Sequence, residues 1–362
     1  MNRLLLASWR SLVLFWTEPI RAEPLAVYRI LLAAVILLSQ LTGFVRHLST
    51  MCGDDPLLPA ETRDAWLTKS GRICLLRGPI NLPFLGEWLP DKIFGDHLRP
   101  ERNRLQNWIS DDSAKAWADW GAKPSSVYSL YAVYLVVLVC VMVGFRTRLM
   151  TFAAVLLAAT FNNRMVELIN GGDSLFRNGL YFLLLSPAGA MWSVDAWMKR
   201  REKTIPVMIE PWSVRLIQIQ LAIMYLFTGL TKLNDIRPDA VYGWWWPRGD
   251  WLDGVALYWV LNDVALTRWS YAQFAVPMVV CKLLTWGTLF FELFFSILVA
   301  IRPIRPFIVL AGLGLHLGIL LTMEIGWFSQ VSMCFYALLI PGEKWVAFAN
   351  RILRTRTGDM GK

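Results

Sequence analysis

One apolar stretch of the sequence carries a row of polar side chains that could accept, donate or transfer protons. Gln218, Tyr225, Thr228 and Lys232 follow one another at steps of seven, three and four residues. In a helix these steps place all four side chains on one face. An amine at the edge of hydrocarbon loses hydration, which favours its neutral form, and a neutral amine can act as a base. The alternative for Lys232 is an anchoring role, in which the ammonium group reaches the lipid headgroups.

Two further ionisable residues also lie in apolar surroundings. Glu292 occurs within TLFFELFFS and His316 within GLGLHLG. Ionisable side chains in membrane spans are costly and usually mark a pathway or a reactive site. The structural alternatives are an ion pair between Glu292 and Lys282, and a packed His316 imidazole with a single hydrogen bond. Arg29, near the inner end of the first apolar run, is expected to extend towards that membrane face.

The elements that position these side chains must be membrane-spanning helices. The chain has 362 residues, of which 56% are hydrophobic and 17% charged. Its apolar residues form runs of about 17–22 residues, the length that crosses a bilayer core. A span must satisfy its own backbone hydrogen bonds, so the pattern predicts an all-α integral membrane protein. About eight transmembrane helices are expected, at residues 25–45, 126–145, 149–166, 175–191, 213–233, 279–301, 305–323 and 326–341.

The basic residues predict the orientation of these spans. Clusters occur in the short connections after the second, fourth and sixth spans and beyond the eighth, as GFRTR, KRREK, IRPIRP and RILRTR. With eight spans all of them lie on the same side as the N-terminal arginines. The positive-inside rule then places both termini in the cytoplasm. Topology thus explains the net charge of +9, and nucleic acid is not an expected partner.

Three regions follow from this pattern. Residues 1–24 are predicted to form an amphipathic segment on the inner membrane surface. Residues 25–341 form the transmembrane helical domain, with two sizeable outer loops at 46–125 and 234–270. Residues 342–362 form a basic cytoplasmic tail.

The cysteines and histidines suggest few covalent or metal-binding features. Cys52 and Cys74 share the first outer loop, where they either form a disulfide in an oxidising compartment or remain two thiols. The three histidines do not cluster in the sequence, and no cysteine pair has zinc-binding spacing. No metal is therefore expected.

Four motifs, in order EPLAVYRILLAAVILL, MWSVDAWM, YLFTGLTKLND and GLHLGILLTMEIGWFSQ, extend over most of the chain. Together they resemble the HTTM (horizontally transferred transmembrane) domain family, and within it the membrane domain of vitamin K-dependent γ-glutamyl carboxylase. The likeness runs from about Glu23 to Pro341. Its most specific parts are Trp192–Asp195, the Gly229-x-x-Lys232 motif, and the spacing of His316 from the following IGWFS.

The resemblance implies a chemistry for Lys232. In that carboxylase the matching lysine deprotonates reduced vitamin K, and oxygen then converts the quinol anion into a base that removes a glutamate γ-proton before carbon dioxide is added. By this resemblance Lys232 is the catalytic base. The implied cofactor is a reduced quinone of the vitamin K or menaquinone type, with carbon dioxide and oxygen as co-substrates. The residues expected to bind cofactor or substrate are Asp173, Asn170, Tyr225, Thr228, Glu292 and His316.

Two departures from the family pattern complicate this transfer. Asp173, with Asn170 nearby, occupies the position of a family histidine, at a depth similar to that of Lys232. A contact between Asp173 and Lys232 would favour the charged ammonium and fix two helices together. The carboxylase also has a large soluble region that grips its substrate. Here a secreted peptide or protein substrate would be held by the outer loops or by a separate substrate-presenting protein.

Three functions remain open from the sequence. The first is a quinol-linked carboxylase-like enzyme acting on a glutamate or another carbon acid at the outer face. The second is a non-catalytic accessory membrane protein for maturation or export of a secreted peptide, and the third is a transporter. Membrane lipids are partners in every case, and a bacterial cytoplasmic membrane with the site facing outward is the expected location.

Overall fold

The computed structural model is mostly helical (77%), as the apolar runs predict. It describes residues 13–52, 74–76, 111–165, 168–199, 207–233, 237–239, 243–269 and 276–359. Half of the predicted amphipathic segment, residues 1–12, and most of the first outer loop lie outside the described residues. The side chain of Cys52 does too, so its disulfide with Cys74 stays a prediction.

Each predicted run overlaps a helix of the described residues, and further helices lie outside the runs. A π-helical turn, Gln40–Phe44, lies between the first two helices, and a 3₁₀ turn, Tyr336–Leu339, precedes the last one. In chain order the helices are α1 (Glu23–Ser39), α2 (Val45–Cys52), α3 (Asp111–Ala122), α4 (Pro124–Val143), α5 (Thr147–Arg164), α6 (Gly171–Leu185), α7 (Val194–Met198), α8 (Trp212–Leu233), α9 (Ala256–Asn262), α10 (Met278–Ala300), α11 (Arg305–Thr322), α12 (Phe328–Phe335) and α13 (Gly342–Asp359).

Among the described residues, five helices are long and apolar enough to cross a membrane. They are the continuous helix Glu23–Thr50, which includes α1, together with α4, α8, α10 and α11. A sixth arises if α12, the 3₁₀ turn and the first part of α13 count as one span, although that pair is bent by 108°. The predicted helical membrane protein is confirmed at this level.

The predicted third and fourth spans correspond to α5 and α6, which are helical but less apolar or shorter. The last turn of α5 contains buried Asn162, Asn163 and Arg164. α6 has 15 residues, fewer than a span requires. Their polar ends are buried against protein, where they can find partners that lipid does not offer.

The all-α prediction missed two short antiparallel sheets. β1 (Ile20–Arg21) pairs with β2 (Met208–Ile209), so the chain before α1 is tied to the chain before α8. β3 (Arg237–Asp239) pairs with β4 (Gly243–Arg248) within the predicted second outer loop. β1, β2 and β3 have only two or three residues each, and the six of β4, GWWWPR, do not alternate between polar and apolar, so the sequence pattern does not reveal these strands.

Two sets of contacts define the ends of the helix bundle. We call one end of the bundle the Asp195 end. There β1 pairs with β2, and Arg21 bridges Glu23 and Glu343. We call the opposite end the Lys232 end. There the first turn of α6 packs against the chain at the start of α12. A Cβ on Gly172 would lie 2.9 Å from N of Phe328. α8 runs from the first end to the second and packs along α10, which runs back.

Candidate functional site

The last turn of α8 and the middle of α10 meet in an ion pair. Nζ of Lys232 donates to both carboxylate oxygens of Glu292, with 2.5 Å to Oε1. The two side chains are 17% and 8% exposed. The ring centroid of Trp251 lies 4.4 Å from the same Nζ, a cation–π distance. The lysine is therefore enclosed by a carboxylate and an aromatic face, and does not extend freely to the headgroups.

Gly229 explains how α10 comes so close to α8. A Cβ at this position would lie 2.9 Å from Cδ2 and 3.1 Å from N of Leu293. Only glycine tolerates this approach without a shift of the neighbouring chain. Because Leu293 adjoins Glu292, the glycine of the Gly229-x-x-Lys232 motif positions the carboxylate for the lysine.

A second polar group lies deeper between α8, α11 and the 3₁₀ turn. Oη of Tyr225 is 2.6 Å from Nε2 of His316 and 2.6 Å from Oη of Tyr336. All three side chains are buried, and Phe291 and Phe295 pack against the Tyr225 ring. Nδ1 of His316 has no hydrogen-bond partner among the described residues. We call these three residues the Tyr225 cluster.

The two hydrogen bonds of the Tyr225 cluster can run in either direction. Tyr336 can donate to Tyr225 and Tyr225 to His316, or His316 can donate to Tyr225 and Tyr225 to Tyr336. The two directions place the imidazole proton on different nitrogens. The sequence expectation of a singly hydrogen-bonded, packed imidazole describes His316 correctly, with Tyr225 as its partner, but the second bond of Tyr225, to Tyr336, was not foreseen.

Gly312 makes room for the Tyr336 ring, which gives a matched pair of variants. A Cβ on Gly312 would overlap Oη of Tyr336, whereas a Cβ on Gly314 of the same helix meets nothing within 4 Å. We expect Gly312→Ala to lower the free energy of unfolding by about 1–3 kcal/mol through overpacking. Gly314→Ala should be neutral or slightly stabilising because alanine favours the helix. Melting temperatures in detergent measure both, and equal values would contradict this placement of Tyr336.

The other members of the polar row on α8 have different partners. Nε2 of Gln218 donates to O of Leu338 at 2.7 Å, so this side chain faces the 3₁₀ turn. Oγ1 of Thr228 donates to O of Met224 in its own helix. The structure therefore brings Gln218, Tyr225 and Lys232 into contact with neighbouring elements, and leaves Thr228 satisfied locally.

Asp173 and Asn170 do not join this site. Asn170 is the N-cap of α6 and accepts from N of Gly172 at 2.7 Å. Asp173 Oδ2 in turn accepts from N of Asn170 at 2.9 Å, which completes a capping box. The suggested contact of Asp173 with Lys232 is wrong, as is that of Glu292 with Lys282, because Lys232 and Glu292 bind each other.

The position of the Arg29 side chain also differs from the prediction. Its side chain is fully buried and does not extend towards a membrane face. The guanidinium donates to O of Ala188 at 2.5 Å and to O of Trp192 at 2.5 Å. These carbonyls belong to the connection after α6, so Arg29 fastens that connection to α1.

The Trp192–Asp195 motif has a structural role at the same end of the bundle. The Asp195 carboxylate accepts from N of Arg146, N of Thr147 and Oγ1 of Thr147 at 2.7–2.8 Å. It thereby caps the N-terminus of α5, whose own N-cap side chain makes no such bond. Burial would raise the pKa of Asp195, but these hydrogen bonds outweigh it and hold the pKa below its usual value.

This cap predicts a pH effect of known sign. The pKa of Asp195 is lower in the folded protein than in the unfolded chain. Its contribution to the free energy of unfolding is therefore fully present above the unfolded pKa of about 3.9, and it is lost as the pH falls through the folded pKa. We expect Asp195→Ala to lower the free energy of unfolding by about 1 kcal/mol at neutral pH. Its melting temperature should fall less on acidification than that of the parent protein. Melting temperatures from pH 7 downward test this, with the exposed Glu210→Gln as control. A wild-type acid profile for Asp195→Ala would contradict it.

Two residues of the site were missed in the sequence. Trp251 lies in the segment YGWWWPRGDW, where its tryptophan neighbours indicated only an interfacial position. Tyr336 lies in the eighth apolar run, and its helical spacing gave no sign of a partner on α8. Among the described residues, no three His, Cys, Asp or Glu side chains form a group that could hold a metal ion.

Comparison with known proteins gives one match. Residues 120–345, more than half of the chain, match the family model described as the HTTM domain. The match contains Lys232, Glu292 and all of the Tyr225 cluster. No curated protein and no solved structure matches the chain.

Proposed function

Because the chain belongs to the HTTM family, we propose that it is a carboxylase-like enzyme whose base is Lys232 acting together with Glu292. It is a membrane protein related to the membrane domains of carboxylases. The observation that supports the proposal is the enclosed Lys232–Glu292 pair beside the Trp251 ring. The same pair is also the simplest unit in this part of the bundle that can accept and store a proton.

Keeping both members of the buried pair charged costs free energy. Removing an ammonium and a carboxylate from water costs several kcal/mol per ion in proteins. Transfer of one proton along the existing hydrogen bond makes both groups neutral and removes that cost. The resulting amine has a lone pair at Nζ, and the proton is held on Glu292. In this state Lys232 can take a proton from a weakly acidic donor.

The surroundings suit a reduced quinone reaching Lys232 from the bilayer. Such a quinol supplies an acidic hydroxyl proton and two electrons. Trp251 offers a ring face beside Nζ, and on α8 the lipid-facing side chains of Phe227 and Leu230 are 61% and 41% exposed. Lys232 would accept the hydroxyl proton, while Glu292 and Trp251 hold its Nζ in place. Carbon dioxide and oxygen would be the co-substrates, as in the family's carboxylase.

The proposal includes a topology. We infer eight passages, including α5 and α6, with both termini cytoplasmic in a bacterial cytoplasmic membrane. In support, the chain before α1 and the start of α13 meet at the Asp195 end, which also carries the basic connections. Lys232 then faces outward, where a secreted peptide or protein, alone or brought by a presenting protein, would supply the glutamate.

Reconstituted protein tests the proposal directly. Vesicles would receive reduced menaquinone, oxygen, labelled bicarbonate and glutamate-containing peptides. We expect quinone epoxide to form together with label in the peptide. Absence of both products, from protein whose melting shows it folded, would overturn the proposal.

The closed ion pair also favours a second candidate. If Lys232 and Glu292 only hold α8 against α10, the chain is a non-catalytic accessory protein for maturation or export of a secreted peptide. In that case removal of one member lowers stability, whereas replacement of both by apolar side chains restores stability and leaves the biological output intact. The paired variants described in the Discussion separate the two candidates.

A further inference from the structure

A cavity opens at the Lys232 end of the bundle, between the end of α11 and the start of α12. It measures about 470 Å³, within the range of small-ligand sites. We call it the outer cavity. Its walls are Arg268, Trp269, Leu320, Leu321, Glu324, Gly326, Trp327 and Gln330. None of these residues belongs to the Lys232–Glu292 pair or to the Tyr225 cluster.

The outer cavity is lined by side chains of both charges that form no ion pair with each other. Arg268 and Glu324 both line it, yet they form no ion pair in the part of the chain that the structure describes. The guanidinium makes one long bond, 3.4 Å, to O of Met323. A ligand that spans the cavity can therefore place an anionic group at Arg268 and a cationic group at Glu324.

A buried acceptor without a donor points to the nature of the cationic group. Oε1 of Gln330 is buried and has no hydrogen-bond partner. An unsatisfied buried acceptor is costly, and Gln330 lines the outer cavity, so we expect its amide to turn towards the cavity when a ligand brings an N–H or O–H. A primary ammonium has such hydrogens for both Gln330 and Glu324, whereas a quaternary ammonium has none.

The position and the apolar walls indicate a lipid. The outer cavity lies at the end of α11, one of the helices able to span the membrane. Leu320 and Leu321 supply apolar surface there. Nε1 of Trp269 donates to O of Leu321 at 2.6 Å, which holds one indole ring at the rim. Tryptophan at the end of a span is typical of the headgroup level.

We propose that the outer cavity binds the headgroup of phosphatidylethanolamine. Arg268 binds the phosphate, while Glu324 and Oε1 of Gln330 accept hydrogen bonds from the primary ammonium. Trp269 and Leu321 contact the start of the acyl chains. This site is separate from the Lys232 chemistry and does not depend on it.

Lipid binding to the full chain tests this assignment. Purified protein in detergent would be titrated with phosphatidylethanolamine, phosphatidylcholine and phosphatidylglycerol of identical acyl chains, and bound lipid counted by native mass spectrometry. We expect about tenfold tighter binding of phosphatidylethanolamine, since only it satisfies both charges and the amide oxygen. Gln330→Leu and Glu324→Gln should remove the preference over phosphatidylcholine, and Arg268→Gln should weaken binding of all three lipids.

The controls separate a specific site from general effects. Arg302→Gln alters an exposed arginine at the opposite end of α10, and it should retain the preference. Melting temperatures identify any variant that fails to fold. The comparison of the three lipids uses wild-type protein, so it does not depend on the folding of a variant. Equal binding of the three lipids would overturn the proposal. So would tighter phosphatidylcholine binding, which would indicate an aromatic cage, or equally tight competition by soluble glycerophosphoethanolamine.

Discussion

Replacing Lys232 with methionine is expected to lower the free energy of unfolding by about 3 kcal/mol, because it leaves the Glu292 carboxylate buried without its partner. Turnover should fall by about 100-fold or more, the usual contribution of a positioned base. Glu292→Leu should destabilise the protein similarly, since the ammonium then lacks its carboxylate. Chemical or thermal unfolding in detergent measures the first effect, and epoxide formation measures the second.

The double variant Lys232→Met with Glu292→Leu is the control for this pair. Two apolar side chains of similar volume commonly replace a buried ion pair without loss, so stability should return to near the parent value. Additive losses in the double variant would show that the two side chains act independently and would contradict the pairing. Restored stability together with restored biological output would identify the pair as structural.

Arg29→Met is expected to destabilise the protein by about 3–5 kcal/mol, the second large effect. The substitution leaves the buried carbonyl of Ala188 and the partly buried carbonyl of Trp192 without this donor, and it removes a fully buried side chain. Arg29→Lys should recover only part of this, because one ammonium cannot reproduce the planar fork of a guanidinium. Melting in detergent measures all variants.

The matched control for Arg29 is Arg148, which is exposed on α5. Arg148→Met should change stability by less than about 0.5 kcal/mol. If Arg29→Met melted at the same temperature as Arg148→Met, the Arg29 guanidinium would be no more than a charge near a membrane face, as its sequence position alone suggested.

The helices were predictable where the signal is local. Pro124 begins α4, and Gly144 ends it with a φ of 73° that glycine adopts readily. The α6 start was equally readable, since Asn170 and Asp173 have the spacing of a capping box. Those two residues were instead considered for the site, because a family histidine lies at the position of Asp173. The capping box is confirmed, whereas the binding role expected of the two residues stays a prediction.

The site was predictable residue by residue but not as pairs. The periodicity of α8 correctly placed Gln218, Tyr225 and Lys232 on an inward face. Which carboxylate reaches Lys232 depends on how closely α10 approaches, and that is set by Gly229 against Leu293. Contacts between helices sixty residues apart leave no trace in the period of either helix. Glu292 was therefore identified as important without its partner.

The most direct measurement of the central claim, that Lys232 and Glu292 form the base, is turnover by the refolded double variant Lys232→Met with Glu292→Leu. Vesicles containing it would be compared with wild-type vesicles for epoxide and for labelled peptide, at equal amounts of folded protein. We expect this variant to be stable but inactive. Turnover at the wild-type rate would contradict it.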